Sequence, residues 1–234
     1  KWGNVCNLKC RHCNPWTSSK WIKEWYTADN RNQSYEDYLQ EFKSTQQSYH
    51  SNNRENFHNT FFDWFSNSQH LMLYGGEGMY VKDIQEMFEY AIDSGNAKDI
   101  DIYINTNGTV YSEQWIEIFK QFRSIRMVFS IDGVGENFEY IRYGASWNNV
   151  VENFKKYSEI ENIKTDVVTT IFTLNVYDAI DIIYNIYVEL DSMPWVNFVY
   201  GPEWWDIRIL PDKIKQHIYN RNKDKLKNLK QTLS

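Results

Sequence analysis

Three cysteines stand within eight residues, Cys6-Asn7-Leu8-Lys9-Cys10-Arg11-His12-Cys13, and the chain has no others. Thiolates at this spacing suit a soft metal or an iron–sulfur cluster far better than a disulfide pair. A site with three protein ligands keeps one position open for something that reacts, whereas structural zinc sites are closed by four. The competing reading is zinc with His12 as the fourth ligand. Zinc sites generally draw ligand pairs from two separated segments, however, and no second pair occurs here. His50, His58, His70 and His217 have no partners in evidence and read as structural.

The elements that must position these thiols follow from hydrophobic periodicity. Trp2–Val5 reads as the tail of a first strand, with the cysteine loop at its C-terminal end. Thr17 and Ser18 can cap a helix carrying Trp21, Ile22 and Trp25. Residues 27–66 form a long polar insertion. Tyr35, Tyr38, Leu39 and Phe42 suggest one helix within it, and Phe57–Phe65 a second. A regular alternation follows: a strand at His70–Tyr74 ending in Gly75-Gly76-Glu77, a helix at Val81–Ser94, and a strand at Asp101–Asn105. Next come a helix after Ser112, a strand at Ile125–Ile131 ending in Asp132-Gly133, and a helix near Trp147–Tyr157. A strand at Thr165–Thr173, a helix from Asn175 to about Leu190, and a sixth strand at Trp195–Tyr200 complete the series. The expected domain is thus 1–210, with a C-terminal helix at 211–234.

Strands alternating with helices imply right-handed βαβ units and a parallel sheet. With no glycine-rich dinucleotide fingerprint after the first strand, the fold class is α/β, a partial (β/α)6 TIM-like barrel with a helical polar insertion after the first strand. Functional groups in such barrels sit at the C-terminal ends of strands. The cysteine loop, Gly75-Gly76-Glu77, Asn105-Thr106, Ser130-Ile131-Asp132 and Thr173-Asn175 all fall at such ends.

The net charge of −6 disfavours nonspecific binding to nucleic acid or an anionic membrane. Seven Lys and Arg between Lys213 and Lys230 are a local exception and read as a solvated helix face. No apolar run approaches the length of a membrane span, and Lys1-Trp2 leads straight into the cysteine motif without a secretory signal. Clustered thiols with nothing to pair with point to a reducing cytoplasm.

Cys-x3-Cys-x2-Cys after a first strand, Gly-Gly-Glu after a second and Ser-Ile-Asp-Gly after a fourth resemble the radical S-adenosylmethionine (SAM) enzymes. Cys13-Asn14-Pro15, Ser18-Ser19-Lys20-Trp21 and Trp204-Trp205-Asp206-Ile207 further resemble the twitch-domain members. The resemblance implies that Cys6, Cys10 and Cys13 bind three irons of a [4Fe–4S] cluster, the fourth being chelated by SAM. It implies His12 near the adenine, Gly75 and Gly76 against the methionine moiety, and Glu77 at its ammonium. Ser130 and Asp132 are then placed for the ribose, and Arg142 for the carboxylate. Asn105 and Asn175 face the same rim. The implied reaction is hydrogen abstraction by a 5′-deoxyadenosyl radical, with an external electron donor of flavodoxin or ferredoxin type. The expected substrate is a peptide or protein. Alternatives are a nucleotide or purine precursor, as in deazaguanine-synthase-like and viperin-like enzymes, or a non-catalytic metal-binding protein on the same barrel. With no cysteine after Cys13, the chain cannot itself build an auxiliary cluster.

Overall fold

The structure, a computed structural model, describes residues 3–29, 32–50 and 67–232. Five parallel strands form one sheet in sequential order: β1 (His70–Leu73), β2 (Asp101–Thr106), β3 (Ser124–Ser130), β4 (Ile163–Ile171) and β5 (Trp195–Phe198). The helices that cross between them are α3 (Lys82–Asp93), α4 (Glu113–Phe119), α5 (Gly135–Ile141), α6 (Trp147–Ser158) and α7 (Ala179–Leu190). The α1 helix (Ile22–Asp29) and α2 (Tyr35–His50) precede the sheet, and α8 (Asp212–Thr232) ends the described chain. This is the expected partial TIM-like barrel, open along one side.

Five strands are described where six were expected. Gly3–Val5 makes no ladder with the sheet; one backbone bond, Glu77 N–H to Val5 O at 2.7 Å, ties it to the end of β1. The reading of Trp2–Val5 as a strand is corrected accordingly, with Trp2 outside the described residues. The helix expected at Phe57–Phe65 also lies outside them. A short helix, α5, was not anticipated: Gly133 and Gly135 mask its start as a turn.

Alternation along each strand sorts the chain into a core and a working face. Ile102 and Ile104 of β2, Ile125, Met127 and Phe129 of β3, and Val167 of β4 join the main core with Met87, Phe88, Phe119, Phe154 and Tyr157 from the helices. The opposite row faces the concave side, and its last members (Asn105, Ser130, Val168, Thr170 and Asn197) line a cleft at the rim. A one-residue slip in any strand would bury these polar groups and expose its core residues.

Two supports lie outside the core. Ile22 on α1 packs with Tyr38 and Phe42 on α2, and Trp16 places its ring 4.6 Å from Phe42, so the insertion is anchored just behind the cysteine loop. At the other end α8 docks on the start of α7, where His217 stacks on Tyr177 at 5.7 Å and Arg221 pairs with Asp178 at 2.8 Å. Thr17 and Ser18 do not cap a helix through their side chains. Ser18 is buried, and its hydroxyl donates to Leu8 O at 2.5 Å, holding the cysteine loop instead.

Candidate active site

The cysteine loop is framed from behind by the segment that follows α5. Lys9 N–H donates to Tyr143 O at 3.0 Å and Arg11 N–H to Ile141 O at 2.8 Å. Leu8 is fully buried between these bonds, and Gly144, at φ 101°, makes room for it. Arg11 lies over the rings of Tyr140 and Tyr143 at 4.8 and 5.4 Å. From the front, Trp21 Nε1 donates to Cys10 O at 3.0 Å. The three thiols are thereby presented on one wall of a cleft of about 260 Å³.

A second brace crosses to the loop after β2. Asn107 Nδ2 donates to Asn7 Oδ1 at 2.8 Å, Asn7 Nδ2 donates to Thr109 Oγ1 at 2.9 Å, and Thr109 Oγ1 donates to Asn107 Oδ1 at 2.7 Å. This closed ring of side chains fixes the position of Cys6, whose sulfur lies 3.8 Å from Asn107 Nδ2. In the sequence Asn107-Gly108 reads only as a turn, so the brace was missed. An asparagine two residues past the rim residue Asn105 was the available signal.

Expected site residues divide between the wall and its backing. Cys6, Cys10, His12, Cys13, Gly75, Gly76, Asn105, Ser130 and Arg142 all line the cleft. Glu77, Asp132 and Asn175 stand behind it, fully or almost fully buried. The Glu77 carboxylate accepts from Asn107 N–H at 2.6 Å and from the Thr106 hydroxyl at 3.1 Å, so it aims the β2 loop and does not face the cleft. Asp132 accepts from Thr170 N–H at 2.8 Å with one oxygen and meets Arg142 Nη2 at 2.7 Å with the other. Asn175 donates to the carbonyls of Asp132 and Thr170, at 2.9 and 2.8 Å, stitching the ends of β3 and β4. Thr17, Thr170 and Asn197 also line the cleft and were not anticipated.

The electrostatics favour thiolate at Cys13. Burial works against the Arg142 charge, but Asp132 and the thiols of Cys10 and Cys13 hold its pKa above the ordinary range. A hydrogen bond from Cys10 brings Cys13 down to about 5, with His12, Thr17 and Arg142 adding to the effect. The same bond and burial push Cys10 well up, and burial raises Cys6. A thiolate, not a thiol, ligates metal, so an anion already stabilised here suits a metal centre. His12 lies against Phe172 with ring centroids 5.1 Å apart, and its Nε2 is 3.7 Å from Asp132 Oδ2.

Two local expectations can be measured. Gly76 has φ +59°, and a Cβ there would sit 2.3 Å from Val5 O, next to Cys6. Gly76→Ala must therefore displace backbone at the ligand loop, lowering the melting temperature by roughly 3–10 °C. Iron bound per chain on anaerobic reconstitution should fall with it. Burial raises the Glu77 carboxyl from 4.5 to about 7 against the bonds it accepts. A raised folded-state value means that protonation stabilises the fold: the contribution is complete below pH 4.5 and is lost as pH rises through about 7. That gap is worth roughly 3 kcal/mol. Wild type should lose melting temperature between pH 5 and 8 relative to Glu77→Gln, and parallel curves would refute the assignment.

The profile of the radical SAM superfamily matches residues 1–183, well over half of the sequence. The chain belongs to the radical SAM superfamily. A search of curated proteins matched none. Among solved structures, Streptococcus suis SuiB bound to S-adenosylmethionine superposes at a TM-score of 0.57 with 15% identity, covering 94% of this chain and 45% of that one. The enzyme anSMEcpe with bound SAM superposes at 0.58 with 17% identity, covering 94% and 57%. At such identities the likeness shows the partial barrel alone, and this chain spans about half the length of either neighbour. As a radical SAM enzyme it uses a [4Fe–4S] cluster and SAM. The donor set fits them. A cubane cluster spreads its cysteines over separate irons. Asn105 Oδ1, His12 Nδ1 and Arg142 Nε are buried without hydrogen-bond partners, each in a residue that lines the cleft. Such orphaned atoms suit a polar ligand.

Proposed function

We propose that this protein is a radical SAM enzyme that modifies a peptide or protein. In this reading Cys6, Cys10 and Cys13 hold the cluster and Arg142 keeps a cation beside their sulfurs, while Gly75 and Gly76 let SAM approach the backbone. Asn105, Ser130 and His12 bind its polar and adenosine portions. Glu77, Asp132 and Asn175 position these groups from behind. When bound, the cluster and SAM supply a 5′-deoxyadenosyl radical able to remove hydrogen from an unactivated C–H bond. The chain's own part is to orient and enclose. An external flavodoxin- or ferredoxin-type donor supplies the electron in this reading.

The observation that carries the peptide reading is the shape of the cleft. Three of its lining residues, Val168, Thr170 and Asn197, belong to β4 and β5, beyond which the sheet has no further strand among the described residues. The cleft therefore reaches the last described strand, where an extended chain has access that an enclosed small-molecule pocket would not need. Support comes from the neighbours of like fold, SuiB bound to its precursor peptide SuiA and anSMEcpe bound to SAM and the Cp18Cys peptide. The Trp204-Trp205-Asp206-Ile207 resemblance to twitch-domain members agrees with it.

The test uses the source of the abstracted hydrogen. Anaerobically reconstituted protein is given dithionite, SAM and either a peptide digest or a nucleotide pool from cells grown in deuterium oxide. Deuterium should enter 5′-deoxyadenosine from the peptide fraction. Label arriving only from the nucleotide pool would establish the small-molecule alternative.

A further inference from the structure

One residue, Asn197, belongs both to the cleft and to the free edge of the sheet. It lines the cleft, and it lies in β5, which among the described residues pairs with β4 alone. All four residues of β5 are exposed, Trp195 by 65% and Phe198 by 45%. Successive residues in a strand direct their backbone groups to opposite sides. Val199 N–H donates to Ile171 O on β4 at 3.1 Å, so Asn197 and Trp195 also face β4. Val196 and Phe198 face away, and neither has a backbone partner among the described residues.

Native sheets blunt such an edge with charge, proline or a bulge, because it otherwise templates pairing with another chain. Trp195–Phe198 has no charged residue and no proline within it; Pro194 and Pro202 only flank it. The exposed apolar surface continues past the strand in Tyr200 and Trp204. An edge with neither charge nor proline that shares a residue with the cleft suits pairing with an extended chain.

We propose that a segment of the peptide substrate adds to β5 as a further strand. Its main chain bonds the N–H and C=O of Val196 and Phe198, and its alternate side chains rest on Trp195 or on Val196 and Phe198. A strand added there lies about 4.8 Å beyond β5. Its concave-side residue level with Asn197 is then presented beside the cleft. Main-chain bonding makes the docking tolerant of sequence, and the flanking aromatic residues favour apolar side chains at every second position. This inference rests on the peptide reading above and adds where and how the peptide is held.

The test is built so that the two can fail separately. A displayed library of random twelve-residue peptides is selected against the full-length, cluster-loaded, SAM-bound protein, and recovered peptides are made synthetically. Methylating alternate peptide amides should weaken binding about tenfold per contacting position, while methylating the intervening amides should not. Val196→Pro removes an outward N–H without touching the ladder to β4 and should weaken binding to a similar degree. Val196→Thr, which keeps the N–H, should not. The Val196 and Phe198 amides should gain hydrogen-exchange protection only when peptide is added. Recovered peptides indifferent to alternate methylation and to Val196→Pro overturn the docking strand and leave the peptide reading standing. Amides already protected without peptide overturn it as well, because the edge is then covered by the protein itself. Recovery of no peptide overturns both.

Discussion

Cys10→Ala is expected to yield a folded protein that binds no cluster and forms no 5′-deoxyadenosine. Cys10 is the buried member of the three, held by Trp21 at its carbonyl and lying 3.9 Å from Arg142 Nη1 at its sulfur. Shortening the side chain removes one sulfur from a packed wall, a cost of about 1 kcal/mol, so the loop frame survives. What is lost is a ligand, and a cluster with two cysteines has no second source in a chain whose cysteines are all in this loop. Iron and sulfide content, charge-transfer absorbance near the visible region and 5′-deoxyadenosine under dithionite should all fall to background together. Persistent cleavage of SAM in this variant would show that the ligand assignment is wrong.

The second large effect concerns stability. Asp132→Asn leaves Arg142 buried and charged, faced only by the sulfurs of Cys10 and Cys13 and by the more distant Glu77 carboxyl. Removing one partner of a buried pair costs about 3–5 kcal/mol, because the remaining charge stays desolvated. For a chain of this size the melting temperature should fall by roughly 10 °C. Thr170 N–H and Asn175 still hold the main chain and the remaining carbonyl oxygen there, so the loss is electrostatic and not a collapse of the β3–β4 rim. Adding Arg142→Leu to the variant should restore much of the lost stability, since an apolar replacement of a buried pair is often neutral. A single variant melting within about 2 °C of wild type would mean that water reaches the pair and screens it.

Strand and helix alternation from His70 onward was legible because the core rows keep strict periods: Ile102 and Ile104 on one strand, Ile84, Met87, Phe88 and Ala91 on one helix. The rim positions followed, since strand ends are marked by Gly75-Gly76, Asn107-Gly108 and Asp132-Gly133. What could not be read was direction. Glu77 and Asp132 sit beside cleft residues in sequence, yet their carboxylates turn inward to backbone N–H groups contributed by other strands. Pattern gives which residues share an end of the sheet, and long-range hydrogen bonding decides which of them reach the cavity. The Asn7–Asn107–Thr109 ring was invisible for the same reason, because Asn7 is about a hundred positions from the other two. The expected first strand failed because three or four residues before a loop carry too little pattern to distinguish a strand from a tethered segment.

The frame of the cysteine loop also sets an order of events during synthesis. Arg11 and Cys10 meet Tyr140 and Arg142 across 129 and 132 positions. The thiols therefore leave the ribosome long before the residues that fix them exist. At 5–20 residues per second they wait on the order of ten seconds with only local bonds, from Ser18 to Leu8 O and from Trp21 to Cys10 O, available to hold the loop. The complete frame can form only once α5 and the residues to Tyr143 have been made, and a nascent chain halted before them would carry three cysteines without the backing that aligns them.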